Sequence, residues 1–132
     1  MGPELVLAID AAINENGALV VAIIRKAKEA YQFRSKCKAL AKEAATLQNV
    51  LKKNRDAALS FDTLADVEDC LKSIHTFVTK VNDWNAFEVA LELFVKRRFP
   101  ELKLRIKAVL EKFSFEVDVS TLSHPCLYAL PS

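Results

Sequence analysis

The stretch "LADVEDCLKSIHTFVTKV", Leu64–Val81, decides the fold. Its apolar residues Leu64, Val67, Leu71, Ile74, Val78 and Val81 recur at alternating steps of three and four, which puts all six on one face of a helix. Most of the residues between them are charged or polar, so this helix is amphipathic and must bury its stripe against a partner. Ser60, Asp62 and Thr63 are N-cap residue types, whose side-chain oxygens accept hydrogen bonds from the unpaired amides of a helix start.

Moving outward toward the N-terminus, Phe33, Cys37, Leu40, Ala44, Leu47 and Leu51 form a second stripe with lysines on the opposite face, closed by the polar run "KKNRDAALS" at Lys52–Ser60. Ahead of it, Val6, Ile9, Ile13, Val20, Ile24, Ala27 and Tyr31 keep one helical phase. Gly17 falls within that phase and the stripe resumes beyond it, so one long helix is expected, weakened locally by about 1 kcal/mol relative to Ala.

Toward the C-terminus, "VKRRFPELKLRIKAVLEKF" at Val95–Phe113 carries the fourth stripe: Phe99, Leu102, Ile106, Val109, Leu110 and Phe113. Pro100 has no amide proton and disfavours helix at Phe99, so the last helix is expected to start with Pro100 in its first turn. A short helix capped by Asn85, with Glu88 three residues on, then precedes it over Asn85–Phe94; a kinked continuation through Pro100 is the alternative. "FSFEVDV" at Phe113–Val119 alternates as a strand does, but it has no partner strand, and "STLSHPCLYALPS" at Ser120–Ser132 has no period.

Four such segments joined by short connections predict an all-α protein, an up-down four-helix bundle over residues 1–118 with room for an extra short helix before the last, followed by an extended tail or linker over 119–132. The expected core comprises Ile13, Val20, Ile24, Cys37, Leu40, Leu47, Leu71, Ile74, Val78, Phe99, Leu102, Ile106 and Phe113. A chain of 132 residues with two glycines and four prolines is large enough to bury about two-thirds of its unfolded surface without disulfides or metals. The longest uninterrupted apolar run, "ALVVAII" at Ala18–Ile24, falls short of the ~20 residues of a membrane span, so membrane contact is expected from a surface or a rearrangement.

Chemistry-bearing motifs are scarce. Cys37, Cys70 and Cys126 form no CxxC pair, His75 and His124 lie outside any ligand cluster, and no phosphate-cradling glycine loop or nucleophile elbow occurs, so no catalytic, cofactor or metal site is assigned and the chain reads as a non-enzyme without a small-molecule substrate. With the cysteines odd in number and no signal peptide ahead of them, a reducing, cytoplasmic setting is expected. Cys70 and His75, at i and i+5, point to different parts of a helix, and Cys70 borders the core stripe.

The net charge of +2 hides a block pattern. Arg25–Arg55 carries ten Lys or Arg against two acids, Asp56–Glu92 eight acids against two lysines, and Leu93–Phe113 seven basic residues against two acids. The acidic third helix lies between basic neighbours. Aromatics are not interleaved with the basic residues, and the acidic block repels phosphate, so nucleic acid is not an expected partner. The basic blocks suit an anionic membrane surface, where each Lys or Arg contributes about 1 kcal/mol.

The run "AYQFRSKCKALAKEAATLQNVL" at Ala30–Leu51, together with "VEDCLKSIHTFVTKV" and "RRFPELKLRIKAVLEKFSFE", resembles the N-terminal bundle of mixed lineage kinase domain-like pseudokinases and is similar to fungal HeLo-like and plant RPW8-like domains. The resemblance spans roughly Ala18–Glu116. It implies a cell-death or immune executioner that oligomerises on a signal, moves from the cytoplasm to the plasma membrane and permeabilises it by engaging anionic phospholipids. Carried over to this chain, the lipid-binding candidates are Arg25, Lys26, Lys28, Lys36 and Lys38, with Lys96, Arg97 and Arg98 before the last helix. The family's brace and effector domain do not follow the bundle here, so a domain of a longer protein is expected. An adaptor bundle that pairs with a related signalling protein, without membrane activity, is the alternative the same resemblance implies.

Overall fold

The computed structural model describes residues 3–54, 61–83 and 88–122. Four helices account for nearly all of them: α1 (Pro3–Glu29), α2 (Arg34–Lys53), α3 (Phe61–Asp83) and α4 (Glu88–Leu122). No strand occurs among the described residues, and "FSFEVDV" is helical. The protein is an all-α four-helix bundle.

Helix direction alternates along the chain, but the order around the bundle does not follow the chain. The Gln48 carboxamide, late in α2, donates to the Ile13 carbonyl, early in α1, at 3.0 Å, so these two helices are antiparallel. The Asn82 amide, at the end of α3, donates to the Lys26 carbonyl, near the end of α1, at 2.7 Å, so α1 and α3 are parallel neighbours. Lys112 of α4 pairs with Asp66 early in α3, and Arg105 donates to Ser73, which sets α4 antiparallel to α3. Lys36 of α2 meets Phe99 of α4, and Glu43 meets Lys103 further along both, so α2 and α4 are parallel. The ring therefore runs α1, α2, α4, α3, with α1 and α4 at opposite corners and out of contact among the described residues.

Burial follows the stripes. Leu64, Val67, Leu71, Ile74, Val78 and Val81 are all buried, as are Cys37, Leu40, Ala44, Leu47 and Leu51 of α2. Ile9, Ile13, Val20 and Ala27 of α1 and Leu102, Ile106, Val109 and Phe113 of α4 complete the expected set. Two expected core residues, Ile24 and Phe99, are only partly buried and pack against the edge of the core. At α1 the fully buried residue is Ile23, one position and about 100° away from Ile24. Tyr31 is 97% exposed, because α1 ends at Glu29 and its phase has no meaning beyond that point.

Gly17 lies inside α1 without interrupting it. A Cβ there would come to 3.0 Å of the Gln48 side-chain nitrogen, so glycine leaves room for the buried amide that crosses from α2. The α1–α2 connection turns at Phe33, the N-cap of α2, in the left-handed region at φ 53°. That conformation disfavours a side chain with a Cβ, and the half-buried ring packed on the core offsets part of the cost.

The last helix follows the alternative of the two sequence readings, a continuation through Pro100, and not the start at Pro100. There is no separate short helix: α4 runs unbroken from Glu88 through Pro100 to Leu122, four residues beyond the boundary expected at 118. Pro100 therefore sits in a helix interior, where it withholds one backbone hydrogen bond and crowds the carbonyl of Lys96. Leu91 and Val95, buried ahead of it, together with Leu102 and Ile106 after it, hold both sides of the proline to one core. Asp62 and Thr63 lie within α3 rather than capping it, while Ser60 and Asn85 fall outside the described residues.

The proline site gives a direct test of continuity. Pro100→Ala should raise stability by about 1–3 kcal/mol, measured by urea unfolding, because alanine restores the amide donor and removes the clash at an exposed position. A proline in a first turn, by contrast, would leave stability nearly unchanged on replacement.

Candidate functional site

The bundle's topology gathers the basic residues. At one end lie the C-termini of α1 and α3 and the N-termini of α2 and α4, as the contacts between Asn82 and Lys26 and between Lys36 and Phe99 require. All eight lipid-binding candidates fall near this end: Arg25, Lys26 and Lys28 on the last turns of α1, Lys36 and Lys38 on the first turns of α2, and Lys96, Arg97 and Arg98 in the first half of α4. Two positions that the sequence reading did not single out, Arg34 and Lys80, join them. Lys80 was missed because the parallel pairing of α3 with α1 cannot be read from spacing along the chain, whereas Arg34 stands two residues ahead of Lys36 and was within reach of the same charge reading.

Arg25, Lys28, Lys38, Lys96 and Arg97 are exposed, whereas Lys26, Lys36 and Arg98 are half-buried. Among side chains described at this end, the acids are Glu29, Asp83, Glu92 and Glu101, and the one ion pair joins Arg98 to Glu101 at 2.8 Å. The positive charge is thus in excess and mostly uncommitted.

Beneath it, three phenylalanines tie α4 to α3. Phe77 is buried and stacks on Phe94 with ring centroids 5.6 Å apart, and its centroid lies 6.4 Å from that of Phe99. The outer rings receive lysines: Lys80 stands 5.4 Å above Phe94, while Lys36 and Lys103 stand 5.2 and 5.8 Å from Phe99. Each contact contributes about 0.5–1 kcal/mol at such exposed sites. Phe99 is therefore less a core residue than a seat for two cations.

An apolar cleft of about 560 Å³ opens on the early part of α4, lined by Ala90, Leu93 and Phe94 and edged by Arg97, Arg98 and Glu101. Leu93 is 58% exposed there. A greasy floor bordered by guanidinium groups suits an amphiphile with an anionic head.

α1 bears on the expectation that membrane contact comes from a surface or a rearrangement, through a length and composition that the core helices of bundles also share. Leu7–Glu29 is long and apolar enough to cross a membrane by length and composition, with a mean hydropathy of 1.6 over its apolar stretch. Counting only the uninterrupted "ALVVAII" run missed this, because Asp10 and Glu15 are the only charges between Leu7 and Ile24. Only 28% of the stretch is buried in the bundle, and Leu7 and Val21 stand well exposed.

No family model, curated protein or solved structure matches this chain.

The thiols belong to the core. Cys37 and Cys70 are fully buried, and burial pushes both up to about 11; at Cys70 the positive charge of Arg105 opposes this and Glu43 reinforces it. Cys70 is therefore screened from solvent and held as the neutral thiol, which does not suit a nucleophile partnered by His75. Cys126 lies outside the described residues.

Because these thiols are harder to ionise folded than unfolded, their contribution to stability is complete below pH 9 and is lost as pH rises toward 11. At pH 8, iodoacetamide should leave Cys37 and Cys70 unmodified in the folded protein and alkylate both in urea, as peptide mass mapping would read. Modification of Cys70 at an equal rate in both states would contradict this burial.

Proposed function

We propose that this bundle is a cell-death or immune executioner domain that binds anionic phospholipid surfaces through its basic end, self-associates and permeabilises the membrane. The observation that carries the reading is the excess of cations at one end, where Lys96 and Arg97 are exposed beside an apolar cleft with no acid paired to either among the described residues. An anionic bilayer attracts such a cluster at about 1 kcal/mol per side chain, and salt screens that attraction. The permeabilising step draws support from α1, whose apolar outer positions Leu7 and Val21 are not used by the core. The sequence resemblance to HeLo-like bundles favours the same activity, with the chain cytoplasmic until a signal recruits it to the plasma membrane.

The alternative is an adaptor that meets a protein partner without lipid. What favours it is the exposure of Leu93 and of Leu104 on the outer face of α4, the latter 69% exposed beside a second cleft lined by Ile106 and Leu110.

Co-sedimentation with vesicles decides between them. The chain should bind vesicles containing phosphatidylserine, bind phosphatidylcholine vesicles at least tenfold more weakly, and dissociate as salt is raised. Replacing Lys96 and Arg97 by Glu should weaken binding by roughly tenfold or more with the helical circular dichroism unchanged, since about 1 kcal/mol per cation is lost twice. Equal or absent binding to both vesicle types at low salt would falsify the membrane reading. In a dye-release assay, Val21→Glu should abolish leakage while leaving surface binding intact, because it puts a charge on an apolar face of α1 that the fold does not bury.

A further inference from the structure

The side of the bundle formed by α1 and α2 carries a groove that shares Lys28 and Lys38 with the basic end and extends past them to Lys42 and Ala45. Ile24, Ala27, Ala41 and Ala45 form its floor, Lys28 stands on one wall, and Lys38 and Lys42 stand on the other. Its volume is about 290 Å³. Three alanines make the floor flat enough for a rod-shaped partner to approach closely. Lys38 and Lys42, one turn apart, place two ammonium groups about 6 Å apart along the groove. None of the three lysines forms an ion pair among the described residues.

The chain itself holds a matching surface. On the outer face of α3, Asp62, Ala65 and Asp69 are exposed in a row, two carboxylates about 10 Å apart along the helix with a small apolar residue between them. Neither aspartate is committed to an ion pair among the described residues, whereas Asp66 and Glu68 are already held by Lys112 and Lys72. In the ring order α1, α2, α4, α3, this face lies away from the α1–α2 side, so one molecule cannot satisfy both surfaces with itself.

We infer that the α1–α2 groove receives the Asp62–Ala65–Asp69 ridge of a second copy, Ala65 resting on the alanine floor and the two aspartates meeting Lys28, Lys38 and Lys42. The inference rests on the self-association in the proposed function and names its surface. Because the two faces differ, the contact is head-to-tail, and each added copy leaves one groove and one ridge open. Growth continues rather than stopping at a dimer. Docking occupies Lys28 and Lys38 but leaves Lys96, Arg97 and Arg98, on α4 at the corner opposite α1, open to an anionic surface.

Sedimentation velocity without lipid tests this. At about 50 mM salt the protein should sediment as a concentration-dependent series of species, and at about 0.5 M salt it should be monomeric, as screening of exposed charges requires. Lys38→Glu with Lys42→Glu should abolish association, and so should Asp62→Lys with Asp69→Lys, each variant remaining helical by circular dichroism. Mixed one to one, the two variants have only a native groove on one and a native ridge on the other besides two reversed faces of opposite sign. The native pair should restore association, and a chain carrying all four reversals should self-associate as the parent does. A parent that stays monomeric at all concentrations at low salt overturns the proposal. So does association that survives either double reversal, since another surface is then responsible. Vesicle binding is read separately and on the parent, since Lys38 is itself a lipid-binding candidate: its absence counts against the membrane reading alone, while absence of lipid-free association counts against this interface alone.

Discussion

The structure depends on the burial of α3 along a stripe wide enough to meet every other helix. Val67, Cys70, Leu71, Ile74 and Val78 have no exposed surface, and Phe77 has almost none. These residues cover about a third of the helix circumference, so α3 packs on α1 along one side, on α4 along the other and on α2 across the centre. Placing α3 beside α1 fixes the remaining geometry. α4 then fills the corner between α3 and α2.

The four helices were legible in the sequence because each carries a stripe whose period is unambiguous over about four turns or more. Neighbouring apolar residues were harder to rank. Ile23 and Ile24 are alike chemically, and only the position of α2 decides that Ile23 turns inward. Phe77 and Cys70 lay beside the narrow stripe drawn from steps of three and four, yet a helix enclosed by three others needs the wider one. The proline rule failed at Pro100 for a related reason: tertiary burial of Leu91, Val95, Leu102 and Ile106 on one side outweighs the local penalty. As for the basic end, its residues were visible as charge blocks, but their meeting at one place depends on ring order. That order comes from cross-chain contacts such as Asn82 with the Lys26 carbonyl, which leave no periodic trace.

The charge blocks divide their work unevenly. Where α3 meets α4, the acidic and basic blocks neutralise each other through Lys112 with Asp66, and Glu43 of α2 takes Lys103. Half-exposed pairs of this kind contribute only about 0–1 kcal/mol each, so they steer register more than they stabilise. Cations without an ion pair among the described residues remain on every helix, among them Arg25, Lys38, Lys80, Lys96 and Arg97 at the basic end. Composition gives a nearly neutral molecule; the fold turns it into one with distinct charged faces.

The ring order has a consequence for backbone electrostatics. When neighbours around a bundle alternate in direction, every helix N-terminus sits beside a C-terminus and their partial charges cancel locally. Here α2 and α4 run parallel and adjacent, as do α1 and α3. The C-termini of α1 and α3 are therefore side by side, while the N-terminus of α4 projects past that of α2 at the same end, and each terminus contributes about half an elementary charge. At the basic end this makes the α2–α4 side positive from its peptide groups alone and the α1–α3 side negative, a transverse polarity that charge-reversing mutations of side chains would leave in place. An anion approaching that end would be drawn toward α2 and α4 even before it met a lysine.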